Sequence, residues 1–165
     1  MITLPIVISV LSLLLSIVAF CYSFKATKKA SAIANDNLNI QYGMIELEVR
    51  KAIENATNNI NNFAVLMMPL GSKEAKGTIT DEEKHTLVGY MKILKSHIQT
   101  MLNNYESACA KYLDCKIDKS RFKKEYKDEI RNLFEDKNSK EYLTPPASKY
   151  KAIIKVYDEW ENLEK

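Results

Sequence analysis

An all-α fold carried on one membrane anchor is what the sequence predicts, on three observations. Leu4 to Phe24 holds 21 residues and no charge. In the stretches after it, apolar residues recur at steps of three and four, and no stretch shows convincing period-2 alternation. Glycine and proline number four each and mostly mark the breaks, at Gly43, between Pro69 and Gly77, and at Pro145-Pro146.

The apolar run comes first in the chain. At about 1.5 Å per residue it reaches roughly 31 Å, the thickness of a bilayer's hydrocarbon core. Thirteen of its residues are Leu, Ile, Val or Phe, each favouring insertion by a few tenths of a kcal/mol. Pro5 sits in the first turn, where a missing N–H costs nothing. A cleaved signal peptide would need a basic leader, a shorter apolar core and a small-x-small cleavage site. No Lys or Arg precedes the run, and Phe20 beside Cys21 is too bulky for a lipoprotein site. Residues 1–24 are therefore expected to be a retained anchor.

Lys25, Lys28 and Lys29 follow the run before the first acid, Asp36. Lysines flanking a span stay on the cytoplasmic side, where they meet lipid head groups. The remainder of the chain is expected in the cytoplasm, below an inner or plasma membrane. Most of the net charge of +3 lies in this collar. Residues 1–40 carry three lysines and one aspartate, which leaves 21 basic and 20 acidic residues in 41–165. That balance predicts no specific nucleic-acid partner. An apolar content of 46% with 27% charged residues is that of a folded domain.

Within the run the small residues fall in register. Ser9, Ser12, Ser16, Ala19 and Ser23 are separated by 3, 4, 3 and 4, and the stripe continues as Ala26, Ala30, Ile33, Asn37 and Ile40. Small residues on one side let helix backbones approach in lipid, and hydroxyls can bond across the contact. This face is the expected oligomer interface, with a second copy or another membrane protein as partner. The alternative is serines that bond back to their own helix.

Residues 25–44 are expected to be a helical stalk, weakest at Asn35-Asp36-Asn37 and at Gly43. Residues 45–165 form the helical domain. Ile45, Val49, Ala52, Ala56, Ile60, Phe63 and Met67 stripe a first helix, expected to end near Met68 because Pro69 restricts the residue before it. Leu70 to Thr80 is expected to be a loop. Thr80-Asp81-Glu82-Glu83 is a capping box, and it opens a helix with a coiled-coil-like seam. The seam runs through Leu87 or Val88, Met91, Leu94, Ile98, Met101 or Leu102, Tyr105, Ala108 and Tyr112. These two long helices are expected to form an antiparallel hairpin.

Two shorter helices close over the hairpin. In the first, Asp118 is the N-cap, Ile117 and Phe122 are placed for a hydrophobic staple, and Phe122, Tyr126, Ile130, Leu133 and Phe134 form the buried face. A polar loop over 136–143 follows. Thr144 caps the last helix with Pro145 at its first position, and Tyr150, Ile153, Ile154, Tyr157, Trp160 and Leu163 form its face.

Little in the sequence points to catalysis. His85 and His97 are twelve residues apart, about 18 Å along a helix, too far to share a metal. His85 close to Glu83 offers a general base, and a solvated helix start is the plainer account. Cys109 and Cys115 lack ligand spacing and read as reduced thiols. Cys21 reads as a membrane-facing residue, with lipidation the other option. Asn55-Ala56-Thr57 is a formal glycosylation sequon, accidental in a cytoplasmic helix. Glu125, Asp128 and Glu129 could together hold a cation, and the interleaved Lys124, Lys127 and Arg131 make ion pairs along one helix the plainer account. The basic side chains of that helix, Lys119 to Arg131, suit anionic lipid or an acidic partner, though the mixed-in acids favour a solvated face. No P-loop, GxGxxG, GxSxG or HExxH is present. No catalytic residue, cofactor or metal ligand is expected.

Leu102-Asn103-Asn104-Tyr105-Glu106-Ser107-Ala108-Cys109-Ala110, then Tyr126 and the proline-led last helix, resembles uncharacterised small single-span bacterial and prophage membrane proteins. The resemblance spans about residues 98–163. It implies a bacterial inner membrane and a role in excluding or resisting phage. It carries no catalytic residues. The expected function is thus a self-associating scaffold, regulator or exclusion factor. An enzyme with a carboxylate-built site, or a small subunit of a larger membrane complex, is the alternative.

Overall fold

The computed structural model describes residues 4–146 and 148–162. It is all-helical, with no strand among the described residues. Five helices follow in order: α1 (Leu4–Ala75), α2 (Asp81–Leu113), α3 (Lys119–Glu135), α4 (Lys137–Leu143) and α5 (Lys151–Asn162). The chain divides into two units, Met1–Gln41 and Tyr42–Lys165.

In the first unit every described side chain from Leu4 to Gln41 is exposed. Its helix passes Asn35-Asp36-Asn37 without a break, and α1 likewise passes Gly43, so neither weak point interrupts it. Each costs about 1 kcal/mol or less in helix propensity, little against the cooperativity of a long helix.

The second unit holds the core. Val49, Ile53 and Ala56 of α1 are buried, with Leu102, Tyr105, Ala108, Cys109 and Tyr112 of α2. Phe122, Tyr126, Ile130 and Leu133 of α3, and Ile153, Val156 and Trp160 of α5, complete it. Tyr112 stands among aromatic rings, 5.6 Å from Phe122 and 5.5 Å edge-on from Trp160. Trp160 Nε1 donates to the Tyr112 hydroxyl at 3.1 Å, and that hydroxyl donates to Glu159 at 2.7 Å. Tyr and Trp are well suited to such a core because each brings its own polar partner inside.

Contacts between α1 and α2 run in opposite residue order. Asn104 Nδ2 donates to the Ala52 carbonyl, Phe63 lies against Tyr90 and His97, and Lys73 pairs with Glu83. Two of the three sequence-predicted N-caps, Thr80 and Asp118, are present. Thr80 accepts from the Glu83 amide and Glu83 accepts from the Thr80 amide, while Asp118 accepts from the Arg121 amide.

Several expectations are corrected. The α1 helix does not end at Met68: it passes through Pro69 to Ala75. A proline inside a helix costs about 3 kcal/mol in lost bonding and ring clash. Met67 and Gly71, on either side of it, line a shallow groove with Leu87, Met91 and Leu94 of α2. The helix stops instead at Gly77, whose φ of 67° is the left-handed conformation glycine adopts without penalty. The Gly77 and Thr78 amides then bond back to the Glu74 and Lys73 carbonyls, which closes the end as a Schellman motif.

On α2, Leu87 rather than Val88 is buried, and Met91 is 46% exposed. Leu94 is half-buried, while Ile98 is buried as expected.

The expected loop over 136–143 is helix α4, so three short helices, not two, follow α2. Asp136 ends α3 and caps α4, accepting from the Asn138 and Ser139 amides. Seven residues are too few to show a period in sequence. The last helix begins at Lys151, not at Pro145. Pro145 precedes another proline, which keeps it out of the helical region. Thr144 bonds back to the Lys140 carbonyl and ends α4. Of the expected α5 face, Tyr150 lies just before the helix, and Leu163 lies outside the described residues. Val156, fully buried, belongs to the face as well.

Candidate functional site

Two regions carry features that packing alone does not use. The first is the apolar run of α1. Ser9, Ser12, Ser16, Ala19 and Ser23 are all exposed there, on one face by their 3–4 spacing. The Ser16 hydroxyl donates to the Ser12 carbonyl at 2.9 Å, and Thr27 does the same to Ser23. Bonding back in this way satisfies the hydroxyl without a second helix, so Ser16 presents a small, locally quiet surface. Leu11, Leu13, Leu14, Leu15, Ile17 and Phe20 are each more than half exposed. Lys25, Lys28 and Lys29 are exposed in the turns that follow.

The second region is a cleft in the helical domain. Ile53, Glu54, Thr57 and Asn58 from α1, Met101 and Tyr105 from α2, and Glu129 and Asn132 from α3 line a space of about 560 Å³. A smaller hollow of about 210 Å³ shares Ile53, Glu54 and Glu129 and adds Arg50, Glu125 and Tyr126. The Tyr105 hydroxyl donates to Glu129 at 2.6 Å, and Arg50 pairs with Glu125 at 2.5 Å. Burial, then the Glu129 carboxylate, holds the Tyr105 phenol well above its ordinary range. Burial also raises the Tyr126 phenol, helped by Glu125 and opposed by Arg50.

The acidic cluster of α3 is therefore divided. Asp128 faces Arg131 along the helix at 3.9 Å, the local pairing the sequence suggests. Glu125 and Glu129 instead turn to Arg50 of α1 and Tyr105 of α2. Glu54, Asn58 and Asn132 were not expected at a site. Glu54 and Asn58 come from α1 and Asn132 from α3, and only the packing of α1, α2 and α3 brings them to one cleft.

His97 rests against the Phe63 ring at 4.8 Å, and His85 is exposed. Cys109 is buried, whereas Cys21 and Cys115 are exposed, and all three are free thiols. Among the described residues no group of three or more His, Cys, Asp or Glu side chains converges.

Fold and site together define an all-helical chain in which, among the described residues, one helix is long and apolar enough to cross a membrane. Comparisons with protein-family models, curated proteins and solved structures gave no match.

Proposed function

We propose that this chain is a membrane-anchored interaction protein: a self-associating scaffold, regulator or phage-exclusion-type factor. The apolar run of α1 crosses the bilayer, and Lys25, Lys28 and Lys29 lie among head groups on the cytoplasmic side. The five small residues from Ser9 to Ser23 meet a second copy or another membrane protein, and a hairpin of α1 and α2 builds the cytoplasmic domain.

One observation carries this reading. From Leu4 to Phe24 no described side chain is covered by the rest of the chain, although most are large and apolar. A patch of that size on a soluble protein marks a membrane or partner surface, and the uncharged length suits a membrane. The lysines that follow support the orientation.

A C-terminal reporter active only outside the cytoplasm is expected to stay silent, and a strong signal from it overturns the orientation. Ser12→Leu with Ser16→Leu is expected to leave insertion intact, because Leu favours the bilayer, and to abolish association within the membrane. Leu11→Ile with Leu15→Ile, on another face, is expected to do little. Association that survives the serine changes removes this face from the interface.

A second reading, an enzyme with a carboxylate-built site, draws on Glu54 and Glu129 lining one cleft. Both carboxylates are exposed and Glu129 is already bonded to Tyr105, so the interaction reading accounts for more of the chain.

A further inference from the structure

Beyond the apolar run, α1 keeps a second pattern. Ala26, Ala30, Ile33, Asn37 and Ile40 follow one another at steps of 4, 3, 4 and 3. These are the spacings of a heptad seam, in which alternate positions face a neighbouring helix. Ile33 is 51% exposed and Ile40 59%. Asn37, Ala26 and Ala30 are exposed as well. In the helical domain, α1 turns Val49, Ile53 and Ala56 to the core instead. The seam residues, apolar apart from Asn37, are thus positions that the chain's own core does not use.

We propose that this seam pairs with the same seam of a second copy, as a parallel two-stranded coiled coil held in register by Asn37. The inference rests on the anchoring proposed above, and three features favour a copy over any other occupant. Copies anchored by the same segment in the same orientation lie parallel, with their seams at one depth, so equal residues meet. Asn37 then stands opposite Asn37. Its amide both donates and accepts, and therefore complements itself across the axis. An apolar partner would leave it unpaired. A single Asn at a seam position that alternates with Ile, among apolar neighbours, specifies two strands and one register at some cost in stability. Finally, the flanking positions put no like charges opposite one another. In a parallel pair Lys29 meets Ala34 and Asp36 meets Gln41.

The test uses the full chain in native membranes, with Cys21→Ser and Cys115→Gly to remove the exposed thiols and the buried Cys109 left in place. Single cysteines are introduced as Ile33→Cys, Asn37→Cys and Ile40→Cys on the seam, and as Asn35→Cys and Asn39→Cys away from it. Oxidative crosslinking is expected to give dimers at the seam positions and to lose them at 35 and 39. Equal yields at all five positions, or no dimer at the seam, overturns the pairing. Asn37→Ile in the same background is expected to shift the product of amine-reactive crosslinking through lysines beyond the dimer. An unchanged dimer denies Asn37 its role. Alkaline carbonate extraction of the same membranes reports the anchoring separately. A chain washed off the bilayer overturns the anchoring, and the parallel alignment with it. A chain retained but crosslinked without periodicity overturns the pairing alone.

Discussion

The Glu106 carboxylate of α2 accepts both the Ala152 amide, at 2.9 and 3.1 Å, and the neighbouring Ile153 amide at 3.0 Å. Those amides lie in the first turn of α5, where a helix leaves its N–H groups without intrahelical partners. A carboxylate there also meets the positive end of the helix dipole. The cap thus comes from another helix, and it ties the start of α5 to the C-terminal half of α2.

Glu106→Ala is expected to destabilise the helical domain by about 1–3 kcal/mol, because half-buried donors lose a charged acceptor. Glu106→Gln keeps one acceptor oxygen and is expected to cost less than half as much. Trp160 is the chain's single tryptophan and is buried. Its fluorescence during urea unfolding of the detergent-held chain reads the domain alone. Equal stability of the alanine variant and the parent would show that water replaces the carboxylate without loss.

Cys115 occupies a conformation suited to glycine. Its φ is 57°, and the Cys115 and Lys116 amides bond back to Tyr112 and Lys111 as in the motif at Gly77. A residue with a Cβ pays roughly 1–2 kcal/mol in that left-handed region. Its side chain is exposed, and the bond it receives from Tyr42 goes to its carbonyl. Cys115→Gly is therefore expected to stabilise the domain, by about 1 kcal/mol once glycine's greater unfolded-state freedom is subtracted. A lower urea midpoint for the glycine variant would refute the strain.

The domain is expected to lose stability in alkali. Burial, then Glu106, holds the Cys109 thiol far above its ordinary value of 9.0, and the Tyr105 phenol is held above its ordinary 10.0. Both pKa values are raised on folding, so the folded chain keeps protons that the unfolded chain gives up. The contribution of each group is whole below its unfolded pKa. It falls as pH rises toward the folded value, at up to about 1.4 kcal/mol per pH unit. Urea midpoints are expected to hold to about pH 8.5 and then decline through pH 11. Cys109→Ala is expected to flatten the first part of the decline, and Tyr105→Phe the part above pH 10. A parent chain equally stable at pH 8 and pH 11 would contradict the burial of both groups.

The amino-acid order alone determined what is local and repetitive. Leu4 to Phe24 announces itself because length and lack of charge are properties of one segment. The stripes of α2 and α3, and the caps at Thr80 and Asp118, are legible because their partners lie three or four residues away. Tertiary structure decided what depends on distant partners. The helix α5 starts at Lys151 because Glu106, about 45 residues earlier in the chain, supplies its cap. Glu54, Tyr105 and Glu129 share a cleft only after three helices have packed. No spacing in the sequence encodes that meeting, since each side chain is positioned by the burial of its own helix's apolar face.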